Sequence, residues 1–291
     1  MTRCLAFVGA LILAFLSVSS ACTAAPATWF HFTLEPERGN ADEIKATFDR
    51  DGAGRHDEHW STGFRPSDFV GLDLAGFRGA GNRPLRFAVV REAGRLDCSG
   101  QGGGSYAAGN CSFTADPAFA ELLRSRGIGT PTDKQSFGLM AVNARRSLID
   151  AVAAAHYPTP SIDNLTALSA LGVDSGYIGE MARIGYRPPT IDTLIQFKAL
   201  DITPQWIGEF VRAGYGNLPG DDLVQMKALD ITPQYIAGFE RIGYRHLPVD
   251  QLVELKALDI TPEFVQRIAA IDGSNPPVDK LVQLKSFAGK H

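Results

Sequence analysis

Between Arg187 and Tyr244 the chain states one pattern of apolar and polar positions twice. RPPTIDTLIQFKALDITPQWIGEFVRAGY is followed without a gap by GNLPGDDLVQMKALDITPQYIAGFERIGY. Leu194 answers Leu223, Leu200 answers Leu229, Thr203-Pro204 answers Thr232-Pro233, and Gly214-Tyr215 answers Gly243-Tyr244, all at an offset of 29 residues. A third copy follows from Arg245. A fixed period of this length predicts a stacked repeat architecture. Within each copy, Leu194, Phe197 and Leu200, or Leu223, Met226 and Leu229, fall at helical spacing on one face. This first helix opens near Asp192, Asp221 or Asp222, and Asp250. It stops at Asp201, Asp230 or Asp259, where a left-handed residue would end it.

The second helix of each copy opens with Thr-Pro. Thr203 is a good N-cap, and Pro204 at the first helical position gives up an N–H that had no partner there. Gly214 ends it, and Tyr215 can fold back on Phe210, as Tyr244 can on Phe239. Helices of about ten residues are marginal alone in water, so stability has to come from neighbouring units, as in other solenoids. The pattern extends upstream in degenerate form. Tyr157, Ile149 and Leu139 lie 29 residues before Tyr186, Ile178 and Leu168, with His156 at the glycine position and Arg145-Arg146 in place of Thr-Pro. The array is therefore expected over residues 130–291, as about five pairs plus a half repeat. The last full copy departs from the pattern at Asp272-Gly273, as a capping unit would. A lone helix opening at Asp116-Pro117 and ending at Gly127 precedes it, in a capping segment over 116–129.

The period changes upstream. Phe30, Phe32 and Leu34 alternate with polar positions, as do Ile44, Ala46 and Phe48, and Leu85, Phe87 and Val89. This is the strand period, and residues 28–115 read as an antiparallel β domain, a sheet or sandwich of six or seven strands. The fold class is thus α+β, with an N-terminal antiparallel β domain followed by an α-solenoid. In RLDCSGQGGGSYAAGNCSFTA one antiparallel register pairs Cys98 with Cys111 and Leu96 with Phe113, since 98 + 111 equals 96 + 113. Directly opposed residues of the narrow kind lie about 4.5 Å apart, at the short end of the disulfide range, so a Cys98–Cys111 bridge is expected. The glycine-rich stretch between them lacks the Lys-Ser/Thr of a phosphate-binding loop and reads as a mobile hairpin loop.

The chain starts with Arg3, an apolar run LAFVGALILAFLSV and the small residues SSACTAAPA. This order describes a secretory signal peptide over residues 1–24, too short for a membrane span of about 20 apolar residues. Cys22, after Ser19-Ser20-Ala21, either departs with the cleaved segment or carries a lipid. Cys4 departs with it. Export suits a disulfide and places the chain in the periplasm or cell envelope. The formal net charge of −4, slightly more negative once Arg3 is removed, gives no basic excess for nucleic acid.

Candidate chemistry is sparse. His56-Asp-Glu-His59 offers potential metal ligands, but there is no His-Glu-x-x-His helix. Asp49-Arg-Asp51-Gly52 begins like a calcium loop, yet Trp60 stands where its terminal Glu belongs. Neither metal nor cofactor is expected. Lys198, Lys227 and Lys256 precede Asp201, Asp230 and Asp259 by three residues, a spacing for exposed ion pairs. The β segment from about Pro84, the DPAF helix opening and the copies of DxLVxLKALxITPxxI…GY together resemble a group of largely uncharacterised bacterial exported proteins. The array also looks similar to those appended outside the membrane to relatives of the β-lactam-sensing membrane metallopeptidases. The resemblance implies an extracytoplasmic sensing or binding part, without the membrane spans or zinc motif of those peptidases.

Two functions follow as expectations. One is a non-enzymatic envelope protein that binds another envelope protein or peptide through its helical surface, reaching the membrane only through a lipid at Cys22. The alternative is an exported hydrolase with a site in the β domain around His31, His56 and His59; convergence of these in a pocket with a carboxylate would favour it. For binding, the sequence singles out Tyr177, Trp206, Tyr235 and Phe264, which recur every 29 residues, three positions into each second helix. Such a row either packs between units or lines an interface, where rigid aromatic rings are effective anchors. Trp206 and Tyr235 are the candidate contacts.

Overall fold

A computed structural model describes residues 28–40, 42–50 and 59–288. The expected signal segment, Cys22 and His56 lie outside the described residues. Seven strands form one antiparallel sheet: β1 (Thr28–Pro36), β2 (Ile44–Asp49), β3 (His59–Phe64), β4 (Phe69–Val70), β5 (Arg83–Arg91), β6 (Gly94–Gly103) and β7 (Tyr106–Ala115), in the order β3-β2-β1-β7-β6-β5-β4. The alternation read from the sequence sets its two faces. Phe30, Phe32, Leu34, Ile44, Ala46, Phe48, Leu96 and Phe113 are buried, while their neighbours in sequence point outward. A short helix, α1 (Leu74–Arg78), packs beside β5 and β6.

β6 and β7 pair in the expected register, Leu96 opposite Phe113 and Cys98 opposite Cys111, and the two cysteines are bridged with their Cα atoms 4.0 Å apart. The glycine-rich stretch is not a mobile loop. Most of it is strand β6, and only Gly104 and Ser105, both left-handed, make the turn. Gly104 and Ser105 donate to the carbonyls of Gly79 and Phe77 at the end of α1. A side chain at Gly103 would collide with the Gly81 carbonyl, its Cβ only 1.7 Å away, so the absence of one lets these backbones meet.

Helix α2 (Pro117–Ser125) opens as expected, with the Asp116 carboxylate accepting from the Phe119 N–H. Then come α3 (Asp133–Ala141) and α4 (Arg146–Ala154), α5 (Ile162–Ala170) and α6 (Ser175–Arg183), α7 (Ile191–Ala199) and α8 (Pro204–Arg212), α9 (Gly220–Ala228) and α10 (Pro233–Arg241), α11 (Val249–Ala257) and α12 (Pro262–Asp272), and α13 (Val278–Ala288). Their order and lengths give a repeat-like arrangement. α3 is the joint between the sheet and this array. Ser136 to Ala141 are all buried, and Phe137 stacks on Phe30 with ring centroids 4.0 Å apart. The same ring meets Phe48, Trp60 and Phe113 edge-on at 5.5–5.9 Å. A Cβ at Gly138 would come within 2.9 Å of the Trp60 ring. The bare backbone there lets the indole lie against the helix.

Two side chains from the sheet finish what these helices lack. The largely buried Arg91 guanidinium donates to the Met140 and Ala141 carbonyls at 2.8 and 2.6 Å, serving the C-terminal carbonyls of α3. Burial lowers its pKa to about 10, against the favourable Asp68 carboxylate nearby. At α4, where Arg145-Arg146 replaces Thr-Pro, the Glu92 carboxylate accepts from the Arg146 N–H at 2.8 Å. The missing cap is supplied from the β5–β6 turn.

Candidate functional site

The second helices α6, α8, α10 and α12 present their rings from a fixed local geometry. The hydroxyls of Thr203, Thr232 and Thr261 accept from the N–H groups of Trp206, Tyr235 and Phe264 at 3.1, 3.2 and 3.2 Å, with Pro at the first helical position. Asp174 does the same for Tyr177 at 2.8 Å. The capped turn therefore fixes the residue that carries the ring. The preceding first helices end on left-handed Asp201, Asp230 and Asp259, as expected, and on Asn143 and Gly172 in the two earlier pairs. Tyr215 and Tyr244 fold back as expected, donating their N–H to the carbonyls of Phe210 and Phe239 at 2.9 and 3.0 Å. The first helices open one residue earlier than anticipated for Asp192 and Asp250, at Ile191 and Val249. Leu200 does not share the core face of Leu194 and Phe197. It caps the end of α7 and is 39% exposed, whereas Leu229 and Leu258, at the same cap position of later helices, pack against the core.

The four rings hold equivalent positions in their helices, but their environments differ. Tyr177 is buried, and its hydroxyl donates to the Ile202 carbonyl at 2.7 Å. Tyr235 is half-buried and donates to the Ile260 carbonyl at 2.9 Å. Trp206 packs edge-on to Phe210 at 4.5 Å, and Phe264 is half-buried. One lysine from the following first helix sits over each ring. Lys198 lies over Tyr177, Lys227 over Trp206, Lys256 over Tyr235 and Lys285 over Phe264, at 4.9–5.4 Å from the ring centres. Two of these ammonium groups also donate backwards, Lys227 to the Asp201 carbonyl at 2.9 Å and Lys285 to the Asp259 carbonyl at 3.2 Å. This replaces the ion pairs expected with Asp201, Asp230 and Asp259. None of those pairs forms among the described residues, because the lysine reaches across to the preceding ring, a cation–π contact.

A second row runs alongside. Tyr186 and Tyr215 donate to the carbonyls of Leu218 and Leu247 at 3.0 and 2.9 Å, and Tyr244 donates to that of Pro276. Burial pushes the Tyr177 and Tyr235 phenols well above their ordinary range, with nearby Asp201 and Asp259 acting in the same direction. The signal for both rows was present in the sequence as periodic aromatics. That they hydrogen-bond forward, one unit on, required the stacking.

In the sheet, register places His31 opposite Asp49 and Asp49 opposite His59. The His59 Nδ1 and Asp49 carboxylate are 2.6 Å apart, on a surface where they are 61% and 53% exposed. Two of the three histidines thus flank one carboxylate on the outward face rather than in a cleft. Among the described residues no cluster of three or more His, Cys, Asp or Glu could hold a metal, and no helix is long and apolar enough to cross a membrane. No protein-family model, no curated protein and no solved structure matches this chain.

Proposed function

We propose that the chain is a non-enzymatic binding or sensing module of the bacterial cell envelope. Its helices form a solenoid of 29-residue units, and its row of rings contacts an extended segment of another envelope protein or peptide. Helix starts at Asp133, Ile162, Ile191, Gly220, Val249 and Val278 support that period. The signal-like start and the resemblance to exported bacterial proteins carrying such arrays support the envelope setting. The Cys98–Cys111 bridge is compatible with export.

The observation that carries the reading is the state of Trp206. Tyr177 and Tyr235 spend their hydroxyls inside the array, whereas among the described residues nothing accepts from the Trp206 indole N–H. Trp206 therefore presents an aromatic body and an unspent donor together, a combination enriched at binding hot spots. Tyr235, the next half-buried ring, is the second contact.

The test is site-directed photocrosslinking in intact cells from Gln205 and Gln234, which are exposed beside the rings, with Ser61 on the outer sheet face as control. A discrete crosslinked species from the two glutamines only, lost in Trp206→Ala/Tyr235→Ala protein that still melts cooperatively, is expected. Identical crosslinks from Ser61, or crosslinks that survive the double substitution, would overturn the reading.

A further inference from the structure

The lysine-over-ring arrangement fails at one place in the array. Between the α3–α4 pair and the α5–α6 pair, the ring position is held by Leu148 and the lysine position by Ser169. The Ser169 hydroxyl turns back to its own helix, donating to the Leu165 carbonyl. A cavity of about 300 Å³ opens there, lined by Asn143, Leu148 and Ser169 among others.

Two backbone carbonyls here stand at positions that accept a side-chain hydrogen bond in two of the later units each. Asn143 stands where Asp201 and Asp259 stand in later units, whose carbonyls accept from Lys227 and Lys285. Val173, also in the lining, stands where Ile202 and Ile260 stand, whose carbonyls accept from the Tyr177 and Tyr235 hydroxyls. Among the described residues no side chain donates to the carbonyl of Asn143 or Val173. In those units an ammonium on an aliphatic stem serves the first of these positions and a ring hydroxyl serves the second. An ammonium, with its three donors, matches the first carbonyl as it does in later units, and buried Leu148 offers an apolar wall for its stem. Arg145 and Asp174 also line the cavity, one of each sign, so they add no net formal charge.

We infer that this cavity is a binding site for an alkyl primary ammonium, the chemistry shared by a lysine side chain and a free alkylamine. It is separate from the Trp206–Tyr235 surface, and neither depends on the other.

The test is titration of the isotopically labelled intact protein, followed by amide NMR. The probes are cadaverine and N-acetyl-lysine methylamide, with N-acetyl-norleucine methylamide, which has the stem without the ammonium, and sodium acetate as controls. Saturable shifts confined to residues 142–148 and 169–175 are expected with the two amines, and at least about tenfold weaker responses with the controls. An equal response to cadaverine identifies a free amine as sufficient, and a stronger one to the lysine derivative identifies a polypeptide side chain as the source. Ser169→Lys, which restores the array's own plug, should abolish the response with an unchanged melting temperature, while Ser169→Ala keeps it. An equal response to norleucine or acetate, or undiminished amine binding by Ser169→Lys, would overturn the inference.

Discussion

Helices α3 and α8 are each nine residues long, yet they are held by different means. α3 is wrapped: six consecutive residues, Ser136 to Ala141, are buried because the sheet covers one side and the array the other. α8 buries a stripe, Pro204, Ile207 and Phe210, and leaves the remainder to solvent or to partial contacts. A helix buried all round belongs to a core, and one with a stripe belongs to a layer. The apolar contacts divide in the same way. One cluster joins the sheet to the helices as far as Leu223, and a second runs from Phe210 to Leu281. The sheet half rests on contacts between residues distant in the chain, and the far half on contacts between successive units.

The strongest way to break the sheet half is Phe137→Ala. The ring touches Phe30, Phe48, Trp60 and Phe113, and a loss of about 3–5 kcal/mol is expected, measured by denaturant unfolding. Next comes the bridge. Cys98→Ala/Cys111→Ala removes a link across 13 residues, worth about 3 kcal/mol for a loop of that order. Reducing agent should lower the melting temperature of the natural protein and leave the variant unmoved.

The helices are better probed through their hydroxyl ties, one in each cluster. Tyr177→Phe with Tyr235→Phe should cost about 2 kcal/mol at neutral pH, near 1 for each lost hydrogen bond. Because burial raises both phenol pKa values in the folded state, their contribution is intact below about pH 10 and is lost as pH rises through the raised values. Tyr157, pushed up to about 12 by burial, acts in the same sense. Stability should fall with pH above 10, and less steeply in the double variant. A smaller effect, about 1 kcal/mol, is expected for Thr232→Ala, which removes the cap of α10.

Features decided within a few residues were legible in the sequence. The Thr-Pro caps, the left-handed Asp201, Asp230 and Asp259, the fold-back of Tyr215 and the Cys98–Cys111 register follow from spacing and backbone chemistry alone. What depends on distant segments was not. Strand order is set by β1 lying between β2 and β7, which alternation does not encode. The lysines looked like partners for aspartates three residues on, because the rings they cover lie 21 residues earlier in the chain. Glu92 capping α4 and Phe137 anchoring the sheet were missed for the same reason. Of the candidate site, the identity and period of the rings were readable. That Tyr177 is buried and Trp206 keeps an unspent donor was not, since this depends on what the next unit places beside them.

The central claim is that the far helices, around the second cluster, are held neighbour to neighbour and largely uncoupled from the sheet. Amide hydrogen exchange on Phe239→Ala, a fully buried ring in the second cluster, tests it most directly. The account predicts faster exchange in α9 to α13, fading toward α7, with β1 to β7 and α3 unchanged, as expected when stability is a sum of neighbouring terms. Equal acceleration in the sheet and in α9 to α13 would contradict it.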